Sequence, residues 1–271
     1  MTEMKQSGVV CAQLDLVWED KIANYDKARK WLDGVEPGSL VLLPEMFPTG
    51  FSMNVAAISE GTPSETERFL SELARERGIC LVAGVVTPGD DGRGRNEAVV
   101  FDAEGKLLSR YCKLHPFTFG GESQHYQRGA EIVTFPWAGF VVAPFICYDL
   151  RFPEVFRAAV QRGATLFVVI ANWPSRRVNH WITLLRARAI ENQAYVVAVN
   201  RCGNDPKLEY PGRSLVIDPQ GEILQDAGDS ERCISALIDP EVVVSWRAQF
   251  PALQDIRPEF LGDDPPVRTN P

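Results

Sequence analysis

Three apolar stretches of this chain each end on a residue that could take part in amide chemistry: a carboxylate, an ammonium and a thiol. The run Val141-Val142-Ala143-Pro144-Phe145-Ile146 stops at Cys147 and passes into Tyr148-Asp149-Leu150-Arg151-Phe152-Pro153-Glu154. The run reads as a buried strand, and Pro153 suits the first turn of a helix that Glu154 to Gln161 would continue. Such a turn lifts the side chain at its bend to the open end of a sheet, beside free helix N–H groups that favour negative charge. A cysteine there is expected to be exposed and to have a lowered pKa, as a thiolate nucleophile requires. Most free cysteines are instead small buried hydrophobes. Glu45 closes Leu40-Val41-Leu42-Leu43-Pro44, and Lys113 closes Arg110-Tyr111-Cys112. Either residue alone matches a solvated group flanking a strand. Taken together, they put three reactive types at three strand ends, where α/β sheets collect active groups.

Amides are poor electrophiles, so a thiol attacks one usefully only if its proton is removed and the adduct is stabilised. A carboxylate such as Glu45 can take that proton, return it to departing ammonia, and then activate the water that opens the thioester. General acid–base help of this kind gives roughly 10²–10⁴ in rate. An ammonium such as Lys113, together with the backbone N–H of Tyr148, can hold the developing oxyanion. Loss of one such donor typically removes about 10²–10³. This chemistry requires neither a metal nor an organic cofactor.

The positioning elements follow from periodicity. Gly8 to Leu16 reads as a strand. Asp20 to Leu32 reads as a helix with Ile22, Tyr25, Ala28 and Leu32 on its buried face. Leu40 to Leu43 is a short buried strand. Thr62-Pro63-Ser64-Glu65 predicts a capping box that opens a helix, with Phe69, Leu70, Leu73 and Ala74 inward and Gly78 as its stop. Ile79 to Val86 is again a strand. Asn96 to Tyr111 reads as a hairpin turning at Asp102 to Gly105, and Ser214 to Gln225 as a similar one turning at Asp218 to Gly221. The likeness of VVFDAEGKLL to LVIDPQGEIL suggests two half-chains of related construction, although hairpin turns also converge on such residues for steric reasons. Leu166 to Ile170 and Ala194 to Asn200 are strands on either side of a long helix, Val178 to Asn192. Val242 to Phe250 is a short helix. Alternating strands and helices imply an α/β layer structure in one domain, residues 1–271. The proline-rich segment 251–271 is expected to lie as an arm over the surface or over a neighbouring subunit.

The chain has 271 residues, 45% hydrophobic and 24% charged, with a net charge of −8. That acidic balance argues against nucleic acid and against a polybasic membrane surface as partners. The opening MTEMKQSGVV lacks the apolar core of a signal peptide, and no apolar run reaches spanning length. The six cysteines are scattered, without zinc-site spacing or disulfide density, so a reducing cytoplasm is the expected location. A cysteine phosphatase would place cysteine and arginine about six positions apart around a phosphate-cradling loop. Arg151 follows Cys147 too closely, and the loop lacks glycine.

Leu43-Pro44-Glu45-Met46-Phe47, Tyr111-Cys112-Lys113-Leu114-His115 and Cys147-Tyr148-Asp149-Leu150-Arg151-Phe152-Pro153 resemble the three signatures of the nitrilase superfamily of carbon–nitrogen hydrolases. The likeness runs from the first strand to about Phe250. It implies an α-β-β-α sandwich of four layers and a Glu-Lys-Cys triad of Glu45, Lys113 and Cys147. Glu122, in Gly120-Gly121-Glu122-Ser123, matches a second glutamate of the family and is expected to orient Lys113 or the substrate amide. Asn172-Trp173-Pro174 resembles a pocket wall that Trp173 is expected to line, and Phe117 and Phe119 are further candidates for the lining, although exposed loop aromatics are common. Arg176 or Arg177 is expected to grip a substrate carboxylate bidentately. Arg151 is expected to support the elbow through Asp149 or a nearby carboxylate, outside the direct chemistry. CYDLRFPE, ANWPSRR, LLRARAIENQAYVVAVNR and FPALQDIRPEFL look most like the bacterial ω-amidase branch. That branch implies a short 2-oxo dicarboxylic acid monoamide as substrate and a homodimer as the assembly. Other superfamily substrates, such as a nitrile or an N-carbamoyl amino acid, or a silent binding role, are the alternatives.

Overall fold

The computed structural model describes residues 6–61, 64–257, 259 and 267–269. The first half of the chain runs β1 (Ser7–Gln13), α1 (Lys21–Trp31), β2 (Leu40–Leu42), α2 (Val55–Ile58), α3 (Glu65–Arg77), β3 (Cys80–Pro88), β4 (Gly94–Phe101) and β5 (Leu107–Cys112). Then come α4 (Glu122–His125), β6 (Tyr126–Gln127), β7 (Ile132–Trp137), β8 (Phe140–Ile146), α5 (Pro153–Gln161), β9 (Leu166–Ala171), α6 (Val178–Asn192) and β10 (Tyr195–Asn200). The chain closes with β11 (Cys202–Asn204), β12 (Glu209–Pro211), β13 (Leu215–Ile217), β14 (Ile223–Asp226), β15 (Arg232–Ile238), α7 (Pro240–Gln249) and β16 (Val267–Thr269).

Two mixed sheets carry the fold. One is ordered β15-β1-β2-β3-β4-β5, with β6 also on β4; the other is ordered β14-β13-β10-β9-β8-β7-β16. In the first, β15–β1 is antiparallel, β1–β2 and β2–β3 are parallel, and β3–β4 and β4–β5 are antiparallel. The second repeats that pattern from β7 through β8, β9, β10 and β13 to β14. The two similar sequence hairpins therefore occupy equivalent places. Each has a register shift one step before its turn, at Val100/Phe101 and at Val216/Ile217. In each an aspartate side chain accepts from two turn N–H groups: Asp102 from Glu104 and Lys106, Asp218 from Gln220 and Glu222.

Strand periodicity sorts the core into layers. Val9, Cys11, Leu40, Leu42, Val82, Ala98 and Val100 share the cluster that also contains the second sheet. Their alternates Val10, Ala12, Val41, Leu43, Leu81, Ala83 and Val99 pack beneath Tyr25 and Ala28 of α1 and Phe69, Leu70 and Leu73 of α3. On the second sheet, Phe156 of α5 and Trp181 and Leu185 of α6 supply the outer cover. The order is helices, sheet, sheet, helices: a four-layer α-β-β-α sandwich.

Two helices depart slightly from expectation. The Asp20 side chain caps α1 by accepting from Ala23 N–H, yet Ile22 points outward at 59% exposure, so only Tyr25, Ala28 and Leu32 of the expected stripe are buried. Ser64 caps α3 by accepting from Glu67 N–H at 3.1 Å, so the N-cap lies two residues later than Thr62. Thr62 and Pro63 themselves lie outside the described residues. Gly78 ends α3 with φ +63, the left-handed conformation that spares a side chain. Of the expected arm, the described parts are a 3₁₀ turn at Ala252–Asp255 and β16, which lies parallel to β7; residues 258, 260–266 and 270–271 lie outside the described residues.

Candidate active site

The C-terminal ends of β2, β5, β8 and β9 converge where the two sheets meet. Glu45 follows β2 in the segment Leu43–Gly50, which Gly84 of β3 holds close. A Cβ at Gly84 would come within 2.3 Å of Met46 N and 2.6 Å of Glu45 Cα, so only glycine permits this approach. Lys113 leaves β5 with its N–H on Asn96 O at 2.9 Å. Its Nζ donates to Glu45 Oε1 at 2.7 Å and to Glu122 Oε2 and Oε1 at 2.8 and 3.1 Å. Asn96 Nδ2 donates to the same two carboxylates, at 2.7 Å to Glu45 Oε1 and 2.8 Å to Glu122 Oε1. Glu122 opens the single turn α4 and also accepts from Phe117 N–H at 2.5 Å. Glu45, Asn96, Lys113 and Glu122 are all fully enclosed.

Cys147 sits at the bend after β8 with φ +46, a left-handed conformation that a non-glycine residue adopts only under constraint. Asp149 supplies that constraint. Its Oδ2 accepts from Ile146 N–H at 3.1 Å and from Tyr111 OH at 2.7 Å. Its Oδ1 accepts from His115 N–H at 2.9 Å and lies 2.9 Å from the ring Nδ1 of His115. The His115 ring stacks on Phe152 at 3.7 Å. Cys147 Sγ lies 4.0 Å from Asn172 O, and Asn172 N–H donates to Glu45 Oε2 at 2.9 Å. The structure therefore brings Glu45, Lys113, Glu122 and Cys147 together. A 3₁₀ turn, Cys147–Arg151, separates the cysteine from α5, so the sulfur does not stand directly at the start of that helix as the sequence led one to expect.

A cleft opens over Cys147, walled by Phe51, Phe117, Tyr148, Arg151, Asn172, Trp173, Pro174, Arg177 and Leu208. Phe117 and Trp173 thus stand where expected, whereas Phe119 points into solvent and is not part of the cleft. The guanidinium of Arg177 lies 5.2 Å from the Phe117 ring centroid, whereas Arg176 is exposed and does not reach the cleft. Arg151 also departs from expectation. It does not meet Asp149, whose oxygens are filled by Tyr111, His115 and Ile146; it stacks 4.9 Å over Trp173, beside His180.

The family model for carbon–nitrogen hydrolases matches residues 8–248. The chain belongs to the carbon–nitrogen hydrolase family. A 2-oxoglutaramate amidase of Bacillus subtilis is 33% identical to it, over 93% of this chain and 98% of the relative. An omega-amidase of Yersinia enterocolitica is 38% identical, over 90% and 94% of the two chains. Among solved structures, a hydrolase of this superfamily from Xanthomonas campestris, with an arsenic adduct in its active site, superposes at a TM-score of 0.88 with 35% identity. That match covers 94% of this chain and 98% of the other.

For a hydrolase of this family the electrostatics of the site are informative. Burial alone would discharge Lys113, but the carboxylates of Glu122 and Glu45 outweigh it and hold the ammonium well above the ordinary lysine value. Burial raises the Glu122 carboxyl, against the pull of Lys113. Burial and then the charge of Glu45 push the Cys147 thiol well up, opposed by Lys113. The sequence expectation of an exposed, acidified cysteine is therefore wrong in both respects. At 8% exposure Cys147 rests as a neutral thiol, and its proton must leave in the course of attack. An enclosed carboxylate is suited to receive it. Sequence reasoning missed Asn96, Asn172 as a ligand of Glu45, and the place of Arg151 in the cleft. Asn96 lies mid-strand in Asn96-Glu97-Ala98-Val99-Val100, where the one available signal was a polar residue on an otherwise apolar face.

Proposed function

We propose that this hydrolase cleaves the terminal amide of a short 2-oxo dicarboxylic acid monoamide, of the 2-oxoglutaramate type, to the diacid and ammonia. The observation that carries this reading is the pair of guanidiniums on the cleft wall. Among the described residues neither Arg151 nor Arg177 has a carboxylate partner, and burial together with the charge of Arg177 lowers the pKa of Arg151. Two uncompensated cations a short way from a nucleophile favour a substrate that carries its own carboxylate, which arginine grips bidentately. The names of the relatives from Bacillus subtilis and Yersinia enterocolitica support the same substrate class.

In this mechanism Glu45 takes the Cys147 proton as sulfur bonds to the amide carbon. The carbonyl oxygen gains negative charge against Lys113 Nζ and the Tyr148 N–H. The C–N bond then breaks, and the nitrogen leaves as ammonia with the proton held by Glu45. Water, deprotonated by Glu45, opens the thioester and restores the thiol. Glu122 keeps Lys113 charged and in place. Phe117 and Trp173 wall the apolar middle of the substrate. A homodimer and a cytoplasmic location complete this reading, the location supported by six unpaired cysteines. The partners it leaves out are nucleic acid and membrane. Among the described residues no helix is long and apolar enough to cross a bilayer.

The test is ammonia release from 2-oxoglutaramate, glutamine, a nitrile and an N-carbamoyl amino acid. The 2-oxo acid amide should give the highest kcat/KM, with turnover lost in Cys147→Ala. Arg177→Leu should lower kcat/KM for 2-oxoglutaramate by about 10²-fold or more, and that for an amide lacking the distal carboxylate much less. A nitrile or carbamoyl preference in the wild-type protein, or equal losses on both amides in Arg177→Leu, would defeat the substrate assignment.

A further inference from the structure

Two amide side chains grip Glu45, and each leaves one buried oxygen without a partner. Asn96 Oδ1 and Asn172 Oδ1 are both enclosed and accept no hydrogen bond. Their orientations are fixed. Asn96 Nδ2 faces two carboxylates, and Asn172 Nδ2 donates to the backbone oxygen of Glu45 at 2.7 Å and approaches Glu45 Oε2 at 3.5 Å. A flip of either amide would set oxygen against oxygen. The difference between them is the place of the residue, since neither oxygen is itself exposed. Asn96 does not reach the cleft, whereas Asn172 lines it beside Cys147. Every other polar atom of Asn172 has an assignment: N–H on Glu45 Oε2, Nδ2 on Glu45 O, and the carbonyl 4.0 Å from the sulfur. A buried acceptor left without a donor is unfavourable, so a ligand that supplies one N–H is favoured at that place.

We propose that Asn172 Oδ1 accepts a hydrogen bond from the scissile carboxamide nitrogen of the substrate and thereby selects primary amides over esters of the same acid. This rests on the amidase reading above and deepens it. The carbonyl oxygen of a bound amide goes to Lys113 and the Tyr148 N–H, which leaves the NH₂ group to be recognised. Attack by sulfur removes the amide resonance and makes that nitrogen pyramidal, with a lone pair that must meet the proton on Glu45. An acceptor holding one of its N–H bonds aims the lone pair at that proton. Because the backbone N–H of Asn172 also holds Glu45 Oε2, donor acid and leaving nitrogen are oriented by one residue. An ester oxygen has no hydrogen to offer and leaves Oδ1 unpaired.

The experiment compares kcat/KM for 2-oxoglutaramate and for the ω-methyl ester of 2-oxoglutarate in the wild-type protein, Asn172→Leu and Asn172→Asp. The leucine variant removes the acceptor and the side-chain hold on Glu45, while the backbone N–H stays on Glu45 Oε2; the aspartate variant keeps an acceptor oxygen but loses that side-chain hold. The amide-to-ester ratio should fall on the order of 10²-fold in Asn172→Leu, and stay within about threefold of wild type in Asn172→Asp even where both rates drop. Should the leucine variant not fold, Asn172→Ala reads the same ratio with a smaller side chain. Parallel losses on amide and ester in the leucine or alanine variant would overturn the assignment, since they show a residue that only positions Glu45. A wild-type protein inactive on the amide but active on the ester would overturn the amidase reading and this assignment with it.

Discussion

Asn96 sets one uncharged nitrogen against two carboxylates that would otherwise repel each other. Together with Lys113 it closes a ring of four side chains in which Glu45 Oε1 and Glu122 Oε1 each accept from both donors. Two carboxylates and one ammonium carry a net negative charge in an enclosed space, which is tolerated only while every oxygen is hydrogen-bonded. Asn96 touches no part of the cleft, so it is a positioning residue. Its hydrogen bond lowers the Glu122 pKa against the burial that raises it. In Asn96→Leu that opposition is lost and Glu122 holds its proton to higher pH. The acid limb of the kcat/KM profile should therefore move to higher pH, and the plateau should fall on the order of 10²-fold through misplacement of Glu45. An equal fall at all pH values, with the limb in its wild-type place, would show a purely structural role. At this scale the sequence was legible where a residue type announces its chemistry, as with Cys147, Lys113 and Glu45. It was not legible for the thiol's protonation. That depends on burial and on the Glu45 charge, a contact across about a hundred residues of chain.

The elements were largely readable because their signals are local. Ser64, Gly78 and the Asp-turn hairpins each fix their own neighbourhood, and the strands Leu40–Leu42 and Leu166–Ala171 are short apolar runs between breakers. The two-residue error at the start of α3 arose because the cap is decided by a residue the periodicity does not include. Glu60 accepts from Ser64 Oγ at 2.6 Å, Thr66 N–H at 2.8 Å, Thr66 Oγ1 at 2.7 Å and Lys21 Nζ at 2.6 Å. It thereby ties the first turn of α3 to α1. Burial would raise its carboxyl, but Lys21 and the hydroxyl and amide donors outweigh that and bring it from 4.5 down to about 2. A carboxylate with a folded pKa below its unfolded one stabilises the fold above the unfolded value, and that stabilisation is lost as the pH falls toward the folded one. Glu60→Gln should accordingly be less stable than wild type by about 1 kcal/mol at pH 7, allowing for solvent screening of the exposed part of the pair. In urea melts the gap should stay level above pH 4.5 and narrow toward about 2. A gap that persists undiminished at the acid end would show that the amide and carboxylate forms differ in packing rather than charge.

At the scale of the whole molecule neither sheet holds a working site. The first contributes Glu45, Asn96 and Lys113, and the second Cys147, Asn172 and the wall that ends at Arg177; chemistry exists only where the two are held face to face. The sequence showed the repeat of hairpins, but the pairing of halves rests on contacts such as Asn172 with Glu45, 127 residues apart, which no local pattern encodes. The join is most specific at Tyr111, fully enclosed on β5 and edge-on to Phe145 of β8, with its hydroxyl donated to Asp149 at 2.7 Å. Burial and then the Asp149 charge hold that phenol well above its ordinary pKa, so it stays a donor throughout the working range. A double-mutant cycle isolates the link. Tyr111→Phe removes the donor and leaves Asp149 its bonds to Ile146 and His115. Asp149→Ala releases those bonds as well and frees the strained bend at Cys147. The coupling between the two changes in urea unfolding should be about 1.5–3 kcal/mol, the range for a buried hydrogen bond to a charged group. Activity should separate them further: Tyr111→Phe should keep kcat/KM within about tenfold of wild type, while Asp149→Ala should lose on the order of 10²-fold or more through displacement of the sulfur. Stabilities that add within about 0.5 kcal/mol would mean that the Tyr111–Asp149 bond does not hold the sheets at this edge, which would then rest on hydrocarbon packing and on the bonds from His115 to Asp149.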